Sequence, residues 1–390
     1  MVVALQSGKD AQATAVWQKL VAVSKRGFDD VYSRLNVSFP TTVEGTGYCG
    51  ESFYQTRIPA VVAELEHKKL ARTENGAVVL YTGLPQAKTL SESGEHGEMP
   101  LFLCKSEGGF GYDSTDMAAA KFRLQELKAN RVIYVTDAGQ EVHFAMVFHA
   151  AALAGWTSPA ARLEHVKFGV VRGSDGAKFK TRAGDTVALV SLLEDARAGM
   201  LRILEERSAD AKATATRAEA GQEAALAARI GYAAIKYADL RVSRIKDYVF
   251  DHAAMLSADG DTAVFLMYTY ARISSICDKA PAPAYLPHYQ PEGASRKERA
   301  IALRVMRFQE AVELAVTELA PHVICGYAYK LCQETSSFLT EADERIIDKA
   351  DASLLEPVRG VHRLLVVKAV KAVLRQAMAL VGVEDPPEKM

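Results

Sequence analysis

The texture of the chain changes once, near Asp185, and that change limits the folds open to it. Before it, short β-like runs alternate with helical ones; after it, helical spacing alone remains. The β-like runs are 77–81, 101–105, 131–135 and 165–171, with helical segments at 115–129 and 141–153 between them. Strands separated by helices predict an α/β layer with parallel strands. Ahead of that layer, Trp17, Leu20, Val21, Phe28, Val31, Tyr32 and Leu35 recur at helical spacing, interrupted by Ser24, and a short helix is expected over 59–70. Behind it, 189–206 is amphipathic and is expected to pack on the α/β layer. The polar stretch 207–223 reads as a solvated helical hairpin or linker, and 224–390 as an all-helical domain broken by a proline-rich loop at 281–295.

Composition narrows the function classes. A chain of 390 residues suggests about two or three domains. Its net charge of −1 rules out a bulk basic field, so any nucleic-acid surface must be a local patch whose affinity depends on salt. Cys49, Cys104, Cys277, Cys325 and Cys332 are odd in number and form no CxxC, which argues against a disulfide framework or a zinc site and suggests a reducing compartment. No apolar run reaches the roughly 18 residues a membrane span needs, and no targeting segment is visible at the N-terminus.

Two segments stand out for chemistry. Lys178-Phe179-Lys180-Thr181-Arg182-Ala183-Gly184-Asp185 follows a β run and the turn Gly173-Ser174-Asp175-Gly176, and precedes an amphipathic helix start. Cations beside a helix N-terminus suit phosphates; a solvated basic hairpin explains the same residues equally well. Gly111-Tyr112-Asp113-Ser114-Thr115-Asp116 leads into a helix that Asp113 or Ser114 could cap, with Asp116 in the first turn. Thr136-Asp137-Ala138-Gly139 ends a β run and opens a helix, placing polar groups at the carboxyl end of a strand, where open α/β sheets bind ligands. On that helix His143 reads as packed or solvent-facing, not as a general base.

Taken together these segments resemble the arginyl-tRNA synthetases, a class I aminoacyl-tRNA synthetase family. KFKTRAGD is similar to the family's KMSKS-type loop, with Lys178 on the first lysine, Gly184 and Asp185 on the trailing Gly-Asn, and Thr181 in place of the second lysine. GYDSTDMAAAKFR resembles the segment forming the amino-acid pocket, GESFY (50–54) a second part of it, and VIYVTDAGQEVHF (132–144) a third. The stretch 235–276 resembles the family's anticodon-binding domain, including Asp261-Thr262-Ala263 and the aromatic run from Phe265 to Tyr268. The implied fold is an incomplete parallel-sheet, Rossmann-like catalytic region (1–40 as helical lead-in, 41–206), a linker (207–223) and a helical-bundle anticodon-binding domain of the DALR type (224–390).

The resemblance also assigns roles. Glu51, Tyr112, Asp116 and Gln140 would bind arginine: a guanidinium's forked donors meet a carboxylate with two parallel bonds while a ring covers its face. Lys178, Lys180 and Arg182 would serve catalysis, with His165, Phe168, Gly169 and Thr181 at the ATP. Phe265, Tyr268 and Met390 would meet the anticodon, although Phe265 and Tyr268, three apart, could equally be core on one helix face. ATP with Mg as counter-ion is implied, with no prosthetic group and no bound metal. The expected partners are tRNA(Arg), L-arginine and ATP, with no membrane. The family's HIGH motif is missing from these residues, so an N-terminal half is expected upstream, and association with it or with a synthetase complex follows. The ending Glu388-Lys389-Met390 is similar to the family's Arg-Met end, so the C-terminus is expected to be the natural one. Texture near the start (LQSGK, AVW) and in HVKFGVV is closest to the eukaryotic cytosolic branch, implying a cytoplasmic protein. A non-catalytic tRNA-binding or interaction protein derived from a truncated synthetase is the alternative.

Overall fold

The computed structural model describes residues 2–6, 8–39, 48–90, 96–173, 189–210, 220–282, 292–357 and 359–390. Two compact units divide the chain: Met1–Asp30 with Ser38–Gly169, and Val31–Val37 with Val170–Met390.

The first unit carries one parallel strand pair and one antiparallel sheet. Strands Arg131–Asp137 and Arg162–Phe168 run parallel, with Asp137 opposite Phe168, and the helix Glu141–Leu153 makes the crossover. That is the βαβ arrangement expected. The strands Ala71–Glu74, Ala77–Leu80 and Leu101–Cys104 are instead antiparallel, contrary to the parallel reading of 77–81 and 101–105. The reason is local. Asn75 and Gly76, at φ 49° and 81°, close a two-residue turn after the first strand. Between the second and third lie a 3-10 turn, Pro85–Ala87, and a small hairpin of Lys88–Leu90 with His96–Glu98, with no crossover helix among the described residues. The core of this unit gathers Tyr54, Leu65, Leu80, Leu103, Met117, Phe122, Val147 and Trp156.

The helix Ala11–Arg34 forms where its spacing predicts, yet none of its described residues is buried. Leu20 and Phe28 are 62% and 54% exposed, and only Val31, with Leu35 just beyond the helix end, packs on a core, that of the second unit.

In the second unit the helices Leu189–Asp210, Ala220–Leu240, Ala263–Lys279, Arg296–Met306, Phe308–Glu318, His322–Thr340 and Gly360–Leu380 surround a core of Ile230, Tyr237, Met267, Ile273, Leu331, Phe338, Val370 and Leu374. Leu193, Ala196 and Met200 pack with Ala227 and Ile230, so the 189–206 segment joins the helical unit and not the α/β layer. The β signal also outlasts Asp185. The 165–171 run breaks at Gly169-Val170, and Val171–Arg172 pairs in parallel with Tyr248–Val249. Asp247 fixes that crossing by accepting from Val170 N at 2.7 Å and Arg172 Nη2 at 2.6 Å. No helix among the described residues is long and apolar enough to cross a membrane.

Candidate active site

The helix Tyr112–Lys121 starts two residues earlier than a cap at Asp113 would require, and three earlier than one at Ser114. Gly111 is the N-cap, and Ser114 Oγ accepts from Gly111 N at 3.0 Å. Asp113 therefore falls inside the first turn, 7% exposed, where its Oδ2 accepts from Phe102 N at 2.7 Å. Asp116 follows one helical step later on the same face.

The packing of the helix Glu141–Leu153 against this one brings His143 between the two carboxylates. His143 Nε2 lies 2.7 Å from Asp116 Oδ2, and Nδ1 lies 3.3 Å from Asp113 Oδ1. Burial works to lower the imidazole pKa, but hydrogen bonds and charge from Asp113 and Asp116 outweigh it and raise it to about 9. The histidine is packed rather than solvent-facing, with a side chain 14% exposed. The Tyr112 and Phe144 rings each meet it edge-on at 5.0 Å. Tyr112 itself is 67% exposed, so the cluster has an open aromatic wall. Carboxylates and a ring at one open face suit a cationic, planar ligand.

The other described candidates of this unit lie on or beside elements that pack against these two helices. Glu51 is exposed at the start of the short helix Glu51–Tyr54, which packs against the Tyr112–Lys121 helix. Gln140 is exposed at the N-cap of the His143 helix, after a 3-10 turn in which Asp137 Oδ1 accepts from Gly139 N at 2.8 Å. His165 Nε2 lies 2.7 Å from Thr136 Oγ1, and its ring is 5.1 Å from Phe144. Phe168 is 41% exposed at the carboxyl end of its strand, with Gly169 just beyond. Lys178, Lys180, Thr181 and Arg182 lie outside the described residues. The residues missed as part of the cluster were His143 and Asp113. Asp113 with Asp116, and Gln140 with His143, each sit three apart, a spacing that puts each pair on one helix face.

In the helical unit, Thr262 Oγ1 accepts from Phe265 N at 3.1 Å and starts the helix Ala263–Lys279. Phe265 packs on the core with its ring 5.7 Å from Tyr329. Tyr268 is 46% exposed, with the Arg207 guanidinium 5.6 Å from its ring centre. Met390 is partly buried against the same core.

Comparison with known proteins fits this arrangement. The family model for tRNA synthetases class I (R), catalytic domain, matches residues 1–252, and the DALR anticodon binding domain matches residues 266–390. An arginine–tRNA ligase of Frankia casuarinae is 37% identical over 99% of this chain and 61% of its own length. The chloroplastic/mitochondrial arginine–tRNA ligase of Arabidopsis thaliana is 38% identical over 98% of this chain and 55% of its own. The crystal structure of arginyl-tRNA synthetase from Plasmodium falciparum superposes with a TM-score of 0.75 at 29% identity, over 98% of this chain and 60% of that one. The chain thus spans about three-fifths of the length of the curated relatives it matches. With its catalytic-domain match covering well over half the residues, this chain belongs to the arginine-type class I tRNA synthetase family.

Proposed function

We propose that this chain supplies the arginine-binding and anticodon-binding parts of an ATP-dependent arginine–tRNA ligase. The arginine carboxylate attacks the α-phosphorus of ATP and pyrophosphate leaves; a terminal ribose hydroxyl of tRNA(Arg) then takes the arginyl group and AMP leaves. The observation that carries this reading is the acidic, aromatic-walled cluster of Tyr112, Asp113, Asp116 and His143, in which Asp116 can receive a guanidinium beside an exposed ring. Glu51 and Gln140 complete the hold on arginine. The 178–182 loop, with Lys178, Lys180, Arg182 and Thr181, grips the phosphates of ATP and its Mg counter-ion, and His165, Phe168 and Gly169 border the nucleotide. Phe265, Tyr268 and Met390 belong to the anticodon end. By the resemblance we divide the chain into 1–40, 41–206, 207–223 and 224–390, with 189–206 packed on the helical unit, and assign it to the cytoplasm; its Arabidopsis relatives include both a cytoplasmic and an organellar form.

Positioning and charge stabilisation are the main demands of the adenylate step. The cations of the 178–182 loop supply only part of that charge, so full activity calls for the remaining two-fifths of the length found in the relatives. The test is aminoacylation of tRNA with labelled arginine, using this chain alone and this chain with a separately supplied upstream half. Charging only in the mixture is expected. Salt-sensitive tRNA binding with no charging in either arm would favour a non-catalytic tRNA-binding protein instead.

A further inference from the structure

The cluster contains one more carboxylate than a single guanidinium needs, and His143 accounts for it. A neutral imidazole has one N–H donor, yet both ring nitrogens of His143 face carboxylates, at 2.7 Å and 3.3 Å. Only the imidazolium serves both. Asp113 is then fully engaged: it is 7% exposed, one oxygen takes Phe102 N and the other faces Nδ1. Asp116 differs. Its Oδ2 meets Nε2, its side chain is 27% exposed, and its Oδ1 holds no bond to a described residue. Without the cation, two carboxylates three positions apart on one helix would repel each other, and the more exposed of them, Asp116, would turn toward water.

We propose that His143 is a positioning residue for the guanidinium pocket: donating from Nε2 to Asp116 and from Nδ1 to Asp113, it holds the Asp116 carboxylate in one orientation with one oxygen left for the substrate, and leaves the cluster a single net negative charge for a single cation. This rests on the reading of Asp116 and Tyr112 as arginine contacts. It assigns His143 no proton transfer. Selectivity follows from charge: one guanidinium neutralises the cluster, whereas a neutral side chain of the same shape leaves Asp116 desolvated without a cation.

The experiment compares binding of L-arginine and of L-citrulline, its uncharged near-isostere, to this chain by calorimetry, for wild type and for His143→Ala, His143→Gln and His143→Asn. Wild type is expected to prefer arginine. His143→Ala should weaken arginine about 10- to 100-fold, as loss of an orienting partner does elsewhere, with citrulline little changed. The Gln amide nitrogen reaches the place of Nε2 and should restore most of the affinity through Asp116. The Asn amide reaches only the place of Nδ1 and should not. Equal behaviour of the Gln and Asn variants, or full affinity in His143→Ala, overturns the proposal. A wild-type protein that fails to distinguish arginine from citrulline removes the pocket reading itself. Independently of any variant, nitrogen NMR of the wild-type imidazole at pH 7.5 should show both nitrogens protonated, and a neutral ring would overturn the inference.

Discussion

Glu298, with no exposed surface, tests how far the helical unit depends on ion pairing. It lies on the helix Arg296–Met306, where Arg359 Nη2 donates to its Oε1. Arg359 also donates from Nη1 to Glu292 O at 3.0 Å, and from its backbone N to Glu356 Oε2 at 2.7 Å. The second cation, Arg363, is 3.8 Å from Glu298, but it stands closer to Glu344, at 3.1 Å, and to Glu356, at 3.5 Å. Arg359→Met keeps the apolar stem of the side chain and removes the guanidinium, leaving Glu298 only a long and shared contact. Breaking one partner out of a buried pair costs about 3–5 kcal/mol, because the other charge stays desolvated. For a unit of about 200 residues, where 1 kcal/mol moves the midpoint by about 2–4 °C, the transition should fall by roughly 10 °C. Calorimetry of the chain reads this directly. Adding Glu298→Gln removes the stranded charge, so the double variant should recover at least about 2 kcal/mol of the loss. A single variant within about 1 kcal/mol of wild type, or strict additivity in the double, would refute the claim that Arg359 compensates Glu298.

Three further outcomes follow from particular contacts. A Cβ at Gly231 would lie 2.8 Å from the backbone C and O of Ala196 and 2.9 Å from Arg197 N. Gly231→Ala should therefore destabilise the helical unit by about 1–2 kcal/mol in urea unfolding, overpacking outweighing the roughly 1 kcal/mol that alanine adds to a helix. Since the folded pKa of His143 is raised from 6.5 to about 9, its stabilisation is whole below pH 6.5 and is lost as pH rises through about 9. The loss should approach roughly 3 kcal/mol, visible as a falling thermal midpoint between pH 6.5 and 9 that His143→Gln flattens. Tyr268→Ala removes an exposed ring and should weaken tRNA binding about 5- to 100-fold, the range of one base stack, while leaving the thermal midpoint of the helical unit within about 2 °C of wild type; unchanged binding at fixed salt would exclude that ring as a contact.

Helix placement was legible because it depends on short spacings. The Glu141–Leu153 helix falls within the segment that periodicity marks, and the Arg131–Asp137 and Arg162–Phe168 strands flank it as a crossover requires. Strand direction was less legible. The antiparallel sheet is set by the Asn75-Gly76 turn and by a hairpin where a crossover helix would otherwise stand, and both are weak against the stronger apolar runs. The partner of a helix was not legible at all. Leu193, Ala196 and Met200 form an apolar face that fits a sheet or another helix, and Gly231, far along the chain, is what admits the neighbouring backbone closely enough to decide it.

The site divides the same way. Tyr112 and Asp116 stand out together only through the family resemblance; spacing alone places them four apart on one helix and marks no more than a capped helix start. Asp113 looked like a cap since Asp near a helix start usually is one. Only the tertiary contact between Asp113 and Phe102 N shows that it faces the strand Leu101–Cys104 instead. His143 is the harder case. Its charge state depends on two carboxylates from another helix, and neither lies within a turn of it in sequence. Spacing along one helix can say which side chains share a face, but not which face another helix presents to it. A histidine three residues after Gln140 acquires a fixed proton only when that second helix arrives, so the property that makes it a candidate for organising the pocket belongs to the fold and not to the motif.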